Sequence, residues 1–366
     1  VRLHRLLDPV LDPLIGLTGR PGRPSGVLLV SAGGLGDTVL FAVVLPRFLA
    51  LAEPGETVTV LLRNDAARMA FTFPPGVRVL KLDFGHLRQI GYRRRVFAEL
   101  YRANFRLVVH TDYLRHPDLD EPLVAACRAP ATAAMEPRPS GKHGARLAAN
   151  RRLYSRLVDS GPPLTDKVVR WTRFANALTA RDEPPPVVAL PDPPAPAALP
   201  APTLLLQPFS AVALKHSPVA LWRRLIEAAP AGWQVRMAGH PSDLERNPEY
   251  RALLELPGVA FEGAPFAELA AIIRACRLVV SVDTACMHLA AALGTPTLCL
   301  ASAAYVGEIV PYAPEVTPAN LRVLHRPMEC QGCLGACRFA PVDGMYPCVA
   351  ALDADEAVAA MRGMIA

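Results

Sequence analysis

Three stretches carry residue types at spacings that could do chemistry. Cys330-x2-Cys333-x3-Cys337-x10-Cys348 gathers half of the eight cysteines into one short loop, and four thiolates so close in sequence can surround one tetrahedral metal. Asp283-Thr284-x-x-x-His288 stands between an apolar, β-branched run, Leu278 to Val282, and a helix-forming run, Ala285 to Leu293. A helix that starts directly after a buried parallel strand turns unpaired N–H groups and the positive end of its dipole toward the sheet's carboxyl edge, where phosphate is held well. His288 lies one turn past Thr284 and faces the same way, so it can reach the same ligand. The third stretch is Gly33-Gly34-Leu35-Gly36-Asp37, between a buried-strand pattern, Gly26 to Ser31, and a helix from Thr38 to about Ala52. Each has a plainer reading. Asp283, Thr284 and Asp37 can simply cap helices, His288 can be a core residue, and the cysteines can be disulfides or free thiols.

Groups of this kind need an αβ framework, and the chain reads as two of them. Its 366 residues suggest about two domains, each long enough for a core. Strands are expected at Thr57 to Leu62, Val77 to Leu82 and Leu107 to His110, with a basic helix from Tyr92 to Asn104. Pro46 should kink or end the first helix. Residues 183–202, EPPPVVALPDPPAPAALPAP, carry nine of the 38 prolines and read as an extended, semi-rigid linker between the domains. Beyond it the rhythm restarts: strand Thr203 to Leu206, helix Val219 to Ala229, strand Gln234 to Ala238, helix Leu244 to Leu254, strand Val259 to Phe261 and helix Phe266 to Cys276. A last helix follows Asp353. The expected organisation is therefore a leader over 1–25, a Rossmann-like domain over 26–182, the linker, a second such domain over 203–352, and a terminal helix over 353–366.

Composition narrows the partners. Apolar residues are 51% of the chain, yet no uncharged run of about eighteen stands out as a membrane span. Leu3, Leu6, Leu7, Val10, Leu11, Leu14 and Ile15 make an apolar helical stripe, read either as a peripheral membrane or partner contact or as a helix packed on its own domain. A formal charge of +6 suits an acidic substrate or an anionic lipid surface, and with 6% aromatics and no aromatic-rich basic stripe, nucleic acid is not expected. Arg93-Arg94-Arg95 and the group Arg138, Lys142, His143, Arg146, Arg151, Arg152 and Arg156 could face an anionic acceptor, or be solvated helix faces. A dinucleotide oxidoreductase is disfavoured because Val39 stands at the third position of the Gly34-x-Gly36 fingerprint and Asp65 falls late.

Taken together, Gly36-Asp37 after the first strand, Lys215 with Pro218 after the first strand of the second half, and Asp283-Thr284-x-x-x-His288 resemble the motifs of the family 9 glycosyltransferases. These include the ADP-heptose-dependent heptosyltransferases of lipopolysaccharide synthesis. The resemblance runs from about Gly26 to Met361. It implies an α/β GT-B fold, two Rossmann-like domains facing across a cleft that closes over the Pro-rich strap, with acceptor in the first domain and nucleotide sugar in the second. It implies Asp37 as catalytic base; Gly34 and Gly36 of the same loop, with Arg93, Arg94, Lys142 and Arg146 of the basic clusters, are the acceptor-side candidates read from the sequence itself. It further implies Lys215 on the diphosphate and Asp283, Thr284, Ala285 and His288 in the donor turn; Cys286 of that turn is read either as a donor contact or as a core residue, and Ser210 before Lys215, with Asp243 and Glu245 after the Gly239-His240 turn, are further donor candidates by their places. The expected activity is inverting, metal-independent transfer of a sugar, heptose first, to a cell-envelope glycan or glycolipid, in the cytoplasm or at the inner membrane. A catalytically degenerate nucleotide-sugar binder or scaffold is the alternative, since relatives commonly carry Gly where Ala285 stands. The four-cysteine loop resembles the iron finger of the autotransporter heptosyltransferases. Zinc is the chemical default there, iron the other choice, and the role structural.

Overall fold

The computed structural model describes residues 7–8 and 15–365. Most of the apolar leader stripe (Leu3, Leu6, Val10, Leu11 and Leu14) lies outside the described residues. The chain divides into two compact units: Val1–Pro163 with Arg170–Pro184, and Leu164–Val169 with Pro185–Ala366.

Among the described residues, each unit is built on one six-stranded sheet with every strand pair parallel. The first contains β1 (Val27–Ser31), β2 (Val58–Arg63), β3 (Arg78–Leu82), β4 (Leu107–His110), β5 (Ala131–Met135) and β6 (Arg156–Val158), in the order β3-β2-β1-β4-β5-β6. The second contains β7 (Thr203–Gln207), β8 (Gln234–Ala238), β9 (Val259–Glu262), β10 (Leu278–Val282), β11 (Thr297–Leu300) and β12 (Leu321–Leu324), in the order β12-β11-β10-β7-β8-β9. Both orders are the doubly wound one: the chain leaves the sheet's middle one way, then returns and leaves the other way. The reversal falls between β1 and β4, and again between β7 and β10. At such a point the flanking connections diverge and leave a crevice at the strands' carboxyl ends.

The central strands are the ones the sequence marks best, because helices cover both their faces and nearly every position is apolar, Ser31 and Ser281 excepted. All five residues of β1 and of β10 are buried. In the first unit Leu28, Val30, Leu61, Phe97, Leu100 and Val108 share one core. In the second, Trp222, Leu225, Val280, Leu298 and Met361 do so. Helix α1 (Leu35–Leu49) continues past Pro46 and ends three residues later, and its Phe41 and Phe48 pack on Trp171 and Phe174.

Several expected boundaries are corrected. The helix expected over Leu244 to Leu254 is three short pieces, Pro241–Arg246, Pro248–Tyr250 and Arg251–Leu254, because Pro248 lacks the N–H that would continue the first piece. β5, β6 and β12 were not expected. The Pro-rich stretch is extended, but from Pro185 onward it belongs to the second unit, with Val188, Leu190 and Ala197 donating N–H bonds to the carbonyls of Val316, Ala292 and Ala271.

Candidate active site

At the reversal point of the second sheet, Lys215 and Asp283 meet. Lys215 comes from the turn Ala213–Lys215 after β7, and Asp283 is the first residue beyond β10. Lys215 Nζ lies 2.8 Å from Asp283 Oδ2, with side chains only 11% and 3% exposed. The ammonium also sits 4.0 Å over the ring of Tyr305, which follows β11. A buried lysine in this setting is held by charge on one side and by the aromatic quadrupole on the other.

Helix α10 (Ala285–Ala292) starts directly after this pair, with Thr284 as its N-cap. Capping by Thr284 was expected and does not occur: its side chain makes no cap hydrogen bond. His288 is buried; its Nδ1 is 2.6 Å from Tyr312 Oη and its Nε2 3.9 Å from Asp283 Oδ1. It therefore backs Asp283 from within the core. Cys286 is likewise buried, with burial pushing its thiol up to about 12, so of its two readings the core residue agrees with the structure and the donor contact is corrected. Ala285 is 7% exposed at the helix start.

The outlying donor candidates are engaged locally. Ser210 Oγ accepts the Val212 N–H at 3.2 Å. Asp243 closes a reciprocal cap with His240 and pairs with Arg246 at 2.7 Å. Glu245 is exposed on the same short helix.

In the first unit, Gly34 is the N-cap of α1 and Asp37 its third residue. Asp37 Oδ2 accepts the Gly34 N–H at 2.9 Å. A Cβ on Gly33 would lie 2.6 Å from Asp37 Cβ and 2.9 Å from Asp37 Oδ2, so the close turn admits only glycine there. Gly36 lies within the helix. Across the reversal point, Asp112 stands two residues past the end of β4. Of the acceptor-side cations, Lys142 is exposed, Arg94 half-buried, and Arg146 pairs with Asp118 at 2.5 Å. Arg93 is corrected: it is fully buried, paired with Asp8 at 2.5 Å, and donates to the carbonyls of Leu87 and Asp118. A partner 85 residues away in sequence left no local signal.

The cysteine loop brings three of its four thiols together. Those of Cys330, Cys333 and Cys337 lie within 4.8 Å of one another, with Cys330 Sγ 3.8 Å from Cys337 Sγ. A tetrahedral ion with metal–sulfur bonds of ~2.3 Å separates its sulfurs by about 3.8 Å, so this donor set fits zinc or iron. Cys348 lies in the same small core, outside the group of three, and accepts the Ala303 N–H at 3.3 Å. The loop is stitched to the turns after β11 and β7: Gly332 N–H donates to Ala303 O, Leu334 N–H to Ala304 O, and Tyr346 N–H to Leu214 O.

Tyr305, Tyr312, His110 and Asp112 were not singled out from sequence. For Tyr305 and Asp112 the usable signal was their place, just beyond strands that border a reversal point.

Two Rossmann-like sheets of identical order, each with polar groups at its reversal point, form the GT-B architecture. The model of glycosyltransferase family 9 (heptosyltransferase) matches residues 150–334, half of the chain, and the chain belongs to this family. It is 40% identical over 92 residues to lipopolysaccharide heptosyltransferase 1 of Pseudomonas aeruginosa, a stretch covering 24% of each protein, so the match spans about a quarter of that relative. Among solved structures it shares its fold with E. coli heptosyltransferase WaaC with ADP-2-deoxy-2-fluoro heptose, at a TM-score of 0.65, 19% identity, and coverage of 93% of this chain and 99% of that one. It also resembles the iron-containing dodecameric glycosyltransferase TibC of enterotoxigenic E. coli H10407, at a TM-score of 0.54, 13% identity, and coverage of 94% and 77%.

Proposed function

We propose that this chain transfers a sugar from a nucleoside diphosphate donor, heptose from ADP-heptose first, to a cell-envelope glycan or glycolipid such as lipopolysaccharide, with inversion. The observation that carries this is the Lys215–Asp283 pair beside the uncapped start of α10 at the second sheet's reversal point. A diphosphate there meets an oriented ammonium and a helix N-terminus, both of which act on the charge that grows as the leaving group departs.

In this reading the acceptor hydroxyl gives its proton to Asp37 as its oxygen bonds the anomeric carbon. The carbon–oxygen bond to the diphosphate breaks, and its electron pair leaves with the nucleotide. Lys215 neutralises that charge, so no step needs a divalent metal. Asp283 orients Lys215, and His288 with Tyr312 fixes Asp283. Ser210, Asp243 and Glu245 border the ribose and phosphates, and Gly34, Gly36, Arg94, Lys142 and Arg146 the anionic acceptor. The four-cysteine loop holds zinc or iron through Cys330, Cys333, Cys337 and Cys348, which supplies rigidity and no reaction step. Among the described residues no helix is long and apolar enough to cross a membrane; work in the cytoplasm with peripheral contact at the inner membrane belongs to the same proposal.

Calorimetry with ADP, UDP, GDP and CDP, free and as sugar conjugates, on the natural chain and Lys215→Ala tests the reading. Selective binding of one diphosphate, lost in the variant, supports it. Binding of none overturns it. The close-packed Ala285 favours one rival, a binder without turnover, which sugar transfer dependent on Asp37 would exclude.

A further inference from the structure

The first sheet's reversal point holds a second carboxylate that the proposed reaction does not use. Asp37 follows β1 and Asp112 follows β4, and these two strands pair directly, Val30 with His110. The two acids share one loop. Asp112 Oδ2 accepts the Ala32 N–H at 2.6 Å, and Asp37 Oδ2 accepts the Gly34 N–H at 2.9 Å. Between them stands Gly33, whose missing Cβ lets the loop pass against Asp37. Asp112 thus holds the loop two residues before the point at which Asp37 holds it.

Behind Asp112 lies a fixed polar chain. His110 is fully buried, and its Nδ1 lies 3.3 Å from the Asp112 backbone N. Nε2 lies 3.4 Å from Asp120 Oδ2 without hydrogen-bond geometry. Asp120 is anchored in turn by the N–H groups of His116 (2.7 Å) and Glu121 (3.1 Å). The titratable groups around Asp112 are therefore His110 on its strand, Asp120 at the next helix start and Asp37 on α1.

We propose that Asp112 is a positioning residue for Asp37: ionised, it holds the shared loop and makes Asp37 a stronger base, and protonated it withdraws that support. The inference rests on Asp37 being the base. A carboxylate beside another raises its neighbour's hold on a proton. Burial, opposed by His110 and the Ala32 N–H and reinforced by Asp120 and Asp37, lifts the Asp112 carboxyl to about 6. The supporting charge is thus present above that pH and lost as pH falls through it.

Carboxyl carbon NMR of the full chain labelled at Asp Cγ provides the test. One resonance should titrate near pH 6, vanish in Asp112→Asn, and titrate lower by half a unit or more in Asp37→Asn. Asp37's own resonance should move down in Asp112→Asn. Independent titration of the two overturns the proposal. With ADP release from ADP-heptose as the readout, Asp112→Asn should lower turnover at pH 7.5 at least tenfold, keep the ADP Kd within twofold, and move the acid limb of the pH profile toward ordinary carboxylate values. Asp112→Glu should restore part of the rate. An unmoved acid limb in Asp112→Asn overturns the proposal. Full turnover in Asp37→Asn with the NMR coupling intact would instead remove Asp37 as base and leave the coupling standing.

Discussion

Lys215 and Asp283, 68 residues apart in sequence, form a 2.8 Å ion pair at the carboxyl ends of neighbouring strands, and Tyr305 covers the same ammonium. The pair is nearly excluded from water, so removing either partner leaves a buried charge alone. Lys215→Ala should weaken nucleoside diphosphate binding by roughly 10- to 100-fold, the range of a lost charge-assisted hydrogen bond. Tyr305→Leu, which removes only the ring, should weaken it about threefold or more. Isothermal titration on both variants checks the order.

Catalysis and donor binding should separate. Asp37→Asn should cut turnover by about 10²- to 10⁴-fold while the diphosphate Kd stays within a factor of about two. Gly33→Ala should lower turnover through the same acid, since its Cβ would sit 2.6 Å from Asp37 Cβ. Single-turnover rates beside calorimetric affinities distinguish the two effects. Equal losses in both would count against Asp37 as base.

Acid sensitivity of the first unit should centre on Glu56. Its carboxylate accepts from Arg106, from the Gly26 N–H at the entry to β1 and from the Glu53 N–H, and Arg106 chiefly holds it down to about 2. Because the folded value lies below the unfolded one, the stabilisation is complete above about 4.5 and is lost as pH falls toward 2. Glu56→Gln should cost of the order of 2 kcal/mol at pH 7, and the gap to the natural chain should close over that window in urea denaturation.

Thiol substitutions in the cysteine loop should reach the donor side. Gly332 and Leu334 bond to Ala303 and Ala304, next to Tyr305, so a loosened loop frees the turn that carries the ring over Lys215. Cys333→Ser and Cys337→Ser should each lose bound metal by elemental analysis, lower Tm by several degrees, and weaken diphosphate binding. Unchanged affinity at reduced metal content would show the loop to be independent of the donor turn.

What was legible in the sequence follows from burial. β1 and β10 are covered on both faces, so they are apolar runs broken only by Ser31 and Ser281, and the turns after them stand out by contrast. β5, reading Ala-Thr-Ala-Ala-Met, and β6, three residues with an exposed Arg156, lie toward a sheet edge where neither length nor pattern is demanded. Asp37, Lys215 and Asp283 were visible through motif resemblance. His288 was visible as a residue but not as a buttress, because Tyr312 reaches it from 24 residues on. Arg93 in a run of three arginines looked like surface charge; its burial depends on Asp8, which no local pattern announces.

Leu164–Val169 belongs to the second unit although it is followed by Arg170–Pro184 of the first. Asp166 caps the N–H groups of Val168 and Val169 and accepts the Ala313 N–H at 3.1 Å, while Leu164 lies against Gly307 and Gly332. Asp166 and Ala313 are 147 residues apart, and at ribosomal rates of roughly 5–20 residues per second the six-residue segment emerges about seven to thirty seconds before that partner exists. The second unit therefore cannot complete itself from Pro185 onward alone. It closes on a piece of chain made earlier, which couples its assembly to a nascent first unit already waiting on the ribosome.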